Sequence, residues 1–121
     1  MAELDSKEEL KAQIKALKIE YVDTLPEKKR LIGRLWQRLH RDRFDREVAQ
    51  ELSRRAHNLV GSGGLYGFPG ISSAARDIET LACDLLVSEQ VSPHVVARFE
   101  CLFQTLGRSI DDSDPKNNID R

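Results

Sequence analysis

The chain has 121 residues, 40% hydrophobic and 32% charged, with a formal net charge of −1. That length suits one domain able to bury a core without disulfides or a structural metal. No apolar run approaches the roughly 20 residues of a membrane span, and the stretch from Met1 to Lys18 lacks the hydrophobic segment of a secretory signal.

Nearly every segment reads as helix. Ser6 followed by Glu9 has the form of a capping box, and Leu10, Ile14, Leu17 and Tyr21 follow at helical spacing, which predicts an N-terminal helix over 6–21. Thr24 followed by Glu27 is a second such box, with Pro26 in a first turn where its missing N–H costs little. Leu25, Ile32, Leu35, Trp36 and Leu39 then give one apolar stripe, ended by a break near His40 to Arg43. Asp42 or Asp45 can cap the next helix, which carries Val48, Leu52, Ala56 and Leu59. Gly67-Phe68-Pro69-Gly70 stops it. Ile71, Ala74, Ile78, Leu81, Leu85 and Leu86 form a fourth stripe. After a short loop from Ser88 to Val91, Ser92-Pro93 reads as an N-cap with a proline in the first turn. Val95, Val96, Phe99, Leu102, Phe103, Leu106 and Ile110 form the last stripe.

Short connections make neighbouring helices antiparallel. The expected fold is therefore all-α, an up-down four-helix bundle over 24–110 with an additional N-terminal helix over 6–21, making one domain over 1–110. Residues 111–121, rich in Asp and Asn, read as a disordered tail or linker. Cys83 and Cys101 have no zinc-type spacing and read as small buried apolar residues, so a reducing, cytoplasmic setting is expected.

The near-neutral total hides a segregation of charge. Residues 28–55 hold ten Lys/Arg against four acids, a basic zone suited to an acidic partner surface. Few exposed aromatics accompany it, since Trp36 and Tyr66 read as core, which argues against nucleic acid.

Most of the glycines fall between 61 and 70, and Gly61, Gly63 and Gly64 lie where the apolar period says a helix continues. Each costs about 1 kcal/mol against alanine in a helix, which implies close approach by something. At 3.6 residues per turn, Gly61 and Gly64 lie within about 40° of His57, and Arg54 about 60° from it. Leu52, Ala56 and Leu59 fall on the opposite side. His57 is thus expected to face water over a bare patch of helix, with Arg54 near enough to supply positive charge. An exposed imidazole is a nitrogen nucleophile at neutral pH and can carry a covalently bound group. No carboxylate-plus-base pair accompanies it in this segment, which favours passing a group between partners over hydrolysis. His40 and His94 have no ligand partner at helical spacing, and no metal site is expected. The glycines do not fit a dinucleotide or P-loop frame, and Ser62 lacks the nucleophile-elbow frame.

The stretch Ala56-His57-Asn58-Leu59-Val60-Gly61-Ser62, followed by Gly67, resembles the histidine-containing phosphotransfer (HPt) domain of bacterial multistep phosphorelays, whose pattern looks like A-H-x-L-K-G-S-[SA]-x-x-x-G. The resemblance covers roughly Tyr21 to Ile110. It implies a phosphorelay module without catalytic turnover of its own. His57 would accept a phosphoryl group from a receiver-domain aspartate and donate it to another, with a response-regulator receiver and a hybrid histidine kinase as partners. It further implies that Gly61 clears the docking surface, and that Ser62 and Gly67 shape the helix end; Gly64 joins Gly61 there by the helical spacing alone. The chain itself would need no cofactor and act as a monomer, away from nucleic acid and membrane, any magnesium belonging to the receiver. Val60 stands where the family has lysine. Its charge would be missing beside a phosphohistidine unless Arg54 substitutes, and the alternative is a module that docks without transferring.

Overall fold

The computed structural model describes residues 2–115. Among these the chain forms four α-helices and no strand: α1 (Ala2–Gln37), α2 (Arg46–Leu65), α3 (Pro69–Ser88) and α4 (Pro93–Ser113), with a turn of π-helix at Arg38–Asp42 extending α1. Each helix packs on the next, and α4 returns to α1, which closes an up-down bundle. The core is built from the stripes visible in the sequence. Leu25, Ile32, Leu39, Leu52, Ile71, Ile78, Leu85, Phe99 and Leu106 are almost fully enclosed. Trp36 stacks on Phe99 with ring centroids 4.1 Å apart, tying α1 to α4.

The additional N-terminal helix is present, but it is continuous with the first bundle helix. The expected boundary at Thr24 is absent. The Thr24 hydroxyl donates to the Tyr21 carbonyl (2.6 Å), and the Glu27 carboxylate accepts from Arg30 and Arg34. Those two guanidiniums hold the Glu27 carboxyl below its ordinary range, chiefly through the Arg30 hydrogen bond. Neither member of the expected box caps anything. Pro26 lies inside the helix. Its missing N–H costs about 3 kcal/mol there, a cost that burial of Tyr21, Val22, Leu25 and Ile32 on both sides of it outweighs. Ser6 likewise lies within α1, which is already helical from Ala2. From residue 6 to residue 20 every side chain is exposed, so Leu10, Ile14 and Leu17 continue the core-facing stripe past the end of the bundle.

The connections follow local chemistry. Asp45 is the N-cap of α2, its carboxylate accepting from the backbone N–H groups of Glu47 and Val48. Gly67, at φ +82°, makes the left-handed step between α2 and α3 that a side chain would resist. Glu89 ends α3 in the left-handed region, and Ser92 caps α4 with Pro93 in its first turn. Helix α4 runs past Asp111 to Ser113, and residues 116–121 of the expected tail lie outside the described residues. Removing the α2 cap with Asp45→Ala is expected to cost about 1 kcal/mol, a fall in Tm of about 3–6 °C by thermal denaturation.

Both cysteines are exposed, against expectation. Each follows a buried residue, Leu81 or Phe99, by two positions, about 200° round the helix and therefore away from the core. The basic zone is dispersed as well. Arg46 pairs with Glu89, Arg54 and Arg55 share Glu51, and Lys28 and Lys29 lie over the Tyr21 and Phe103 rings.

Candidate functional site

Helices α2 and α3 form a tight antiparallel hairpin across the Gly67 turn. They pack tightly at Gly63, where an added Cβ would meet the Ser72 backbone nitrogen at 3.0 Å and Ile71 Cγ2 at 3.3 Å. This glycine is explained from within the molecule: the start of α3 rests on it. The Ser72 hydroxyl then donates to the Val60 carbonyl (2.7 Å), fastening the two helices again.

His57 lies on the outer face of this hairpin with its side chain 71% exposed. Its Nδ1 is 2.7 Å from Oε2 of Glu79, a half-buried carboxylate on α3. The carboxylate only accepts, so Nδ1 donates to it, and in the neutral ring Nε2 carries the lone pair. Among the described residues Nε2 has no protein partner. The ring is held from behind, and its nucleophilic nitrogen is left for a visitor.

One turn beyond His57 the helix surface is bare. A Cβ placed on Gly61 would have no atom within 4 Å. Nothing inside the chain requires glycine there, so the requirement comes from outside or not at all. At Gly64 an added Cβ would reach only the Ser72 hydroxyl, at 3.8 Å, an ordinary contact. Leu65 ends α2 with 81% exposure, an apolar side chain beside these glycines.

The remaining expected site residues are placed as follows. Ser62 faces α1, its hydroxyl 2.7 Å from the Tyr21 hydroxyl. Tyr21 in turn stacks on Tyr66 at 4.4 Å, so the end of α2 is moored to α1. Burial pushes the Tyr21 phenol above its ordinary pKa. Val60 is half-buried against the core and presents no charge. Arg54 is exposed but engaged by Glu51, which also binds Arg55 at 2.7 Å. The structure thus brings His57, Gly61 and Gly64 onto one face, turns Ser62 toward α1, and leaves Val60 half-buried at the edge of that face.

Glu79 is the residue that reasoning along the α2 segment misses. The signal was there: Glu79 lies as far after Phe68 as His57 lies before it, and a hairpin folded at that turn sets them opposite each other. Among the described residues no group of three or more His, Cys, Asp or Glu could hold a metal ion, and no helix is long and apolar enough to cross a membrane. What the face can do is present one oriented nitrogen nucleophile, backed by a carboxylate, to a large partner.

A search of curated proteins and a search of solved structures each returned no match. A family model described as the Hpt domain matches residues 6–112, which spans the four helices and the His57 face. The chain therefore belongs to the Hpt domain family, the helical phosphotransfer modules of phosphorelay signalling.

Proposed function

We propose that this chain is a phosphorelay shuttle that carries the phosphoryl group on Nε2 of His57. The observation that carries the reading is the pairing of an exposed imidazole, oriented through Nδ1 by Glu79, with an adjacent helix surface that is open at Gly61. The donor would be a receiver-domain aspartyl phosphate, itself charged by a hybrid histidine kinase. The Nε2 lone pair attacks phosphorus in line with the carboxylate leaving group. The N–P bond forms, the O–P bond breaks, and the aspartate leaves with its electron pair. No proton needs to leave the ring. The imidazole becomes a phosphoimidazolium, and the Glu79 carboxylate balances its charge through the Nδ1–H bond. A second receiver reverses the sequence: its aspartate attacks phosphorus, the N–P bond breaks, and the ring returns to neutral. A nucleophile paired with an orienting carboxylate supports a reading of transfer between partners. The exposed thiols suit a reducing, cytoplasmic setting.

Val60 favours a second reading, in which the same face docks a receiver but holds no phosphoryl group, because the cation expected at that position is absent. One experiment separates the two. Incubation with a phosphorylated receiver is expected to label the chain with acid-labile phosphate, and His57→Gln is expected to abolish the label. Label persisting in that variant removes His57 from the mechanism, whereas stoichiometric binding without label in the parent chain establishes the docking reading.

A further inference from the structure

We infer that Arg76 of α3 binds the phosphoryl group on His57 and supplies the cation that Val60 lacks. The inference rests on the reading of His57 as the phosphoacceptor and adds a residue to that site. A phosphoryl group on Nε2 brings close to two negative charges onto a face whose built-in charge, Glu79, is also negative. Such a group is retained longest where a guanidinium can grip two of its oxygens.

The register of α2 against α3 locates the candidate. His57 is bonded to Glu79 at 2.7 Å. One turn earlier on α2, the Ser53 hydroxyl meets the Cys83 thiol at 3.7 Å, one turn later on α3. At the other end Gly64 faces Ser72. Every step along α2 is matched by an equal step back along α3, so position 60 stands opposite position 76. The level at which the family pattern sets its lysine on α2 is the level of Arg76 on the neighbouring helix.

Arg76 also lies on the correct side of α3. It is about 60° round from Glu79, on the flank away from the buried Ala75 and Ile78. It is exposed, and among the described residues no acidic side chain holds it in an ion pair, whereas Arg54, the other arginine flanking His57, is bound to Glu51. Asp77 and Asp84, the other acids on the exposed side of α3, lie farther round the helix than Arg76. Arginine at 76 is therefore an uncommitted guanidinium within one helical turn of the carboxylate that orients the acceptor ring.

The test loads the intact chain with phosphoramidate, a small-molecule donor that needs no receiver, and follows the phosphohistidine by phosphorus NMR at neutral pH. Arg76→Gln keeps a polar, though shorter, side chain and removes the charge. It is expected to shorten the phosphohistidine lifetime about tenfold, the effect of losing one charge-assisted hydrogen bond. Adding Val60→Lys to Arg76→Gln is expected to restore most of the lifetime. The proposal is overturned if Arg76→Gln stays within about twofold of the parent, below the worth of such a bond, or if Val60→Lys restores nothing. If phosphoramidate labels no histidine, or one other than His57, the assignment of the acceptor itself fails, which is a different result from a labelled His57 whose lifetime ignores Arg76.

Discussion

Replacing Glu79 with alanine is expected to slow phosphoryl transfer about a hundredfold, within the range found when a positioned acid–base partner is lost. The carboxylate does three things for His57. It fixes the ring orientation, it keeps the proton on Nδ1 so that Nε2 of the neutral ring holds the lone pair, and in the proposed transfer it would balance the positive charge on the ring as the N–P bond forms. Alanine removes all three. Glutamine keeps the first two, since its carbonyl oxygen can still accept from Nδ1–H, but it supplies no charge. Stopped-flow or quench measurements of transfer from a phosphorylated receiver should therefore rank the parent above Glu79→Gln, and Glu79→Gln above Glu79→Ala. Far-UV circular dichroism should be unchanged in both variants, because Glu79 is not part of the buried core. Equal rates for all three would detach Glu79 from the chemistry.

The second large effect separates two glycines that look alike in the sequence. Gly63→Ala drives a methyl group into the Ser72 backbone and Ile71 where α3 rests on α2. It is expected to destabilise the fold by about 1–3 kcal/mol, the usual cost of overpacking, and to lower Tm by about 3–18 °C. Gly61→Ala meets nothing within 4 Å. It is expected to stabilise the helix by about 0.4–1 kcal/mol through the reduced freedom of the unfolded chain. A bulkier residue, Gly61→Trp, would leave the fold intact and close the surface beside His57, lowering receiver affinity and transfer at least about tenfold, as expected when a well-packed contact region is blocked. Thermal denaturation and a receiver titration on the same samples provide the check. A Gly61→Trp variant that binds and transfers like the parent would mean that the open helix surface serves no partner.

Much of this architecture was legible in the sequence. The stripes from Leu25 to Leu39, Val48 to Leu59, Ile71 to Leu85 and Val95 to Ile110 repeat with the period of a helix, and each is long enough to need a partner face. The exposure of His57 followed from the same arithmetic, since it lies opposite Leu52, Ala56 and Leu59. What escaped was information that belongs to pairs of helices. The Glu79 contact depends on how α3 is set against α2, which no period within α2 contains. The continuity of α1 through Thr24 and Pro26 depends on burial of Tyr21, Val22 and Leu25 against the rest of the bundle, and local capping signals cannot weigh that. The reasons for Gly61 and Gly63 likewise differ only once α3 is in position: one glycine has a helix against it, the other has open space.

The central claim is that Nε2 of His57 holds the phosphoryl group while Nδ1 remains protonated against Glu79. Long-range proton–nitrogen correlation NMR of the phosphorylated chain, labelled with nitrogen-15, tests it at the level of single atoms. The account expects phosphorus coupling at Nε2 of His57 alone, with a protonated Nδ1 whose signal changes in Glu79→Gln. Phosphorus coupled to Nδ1, or carried by His40 or His94, would contradict it.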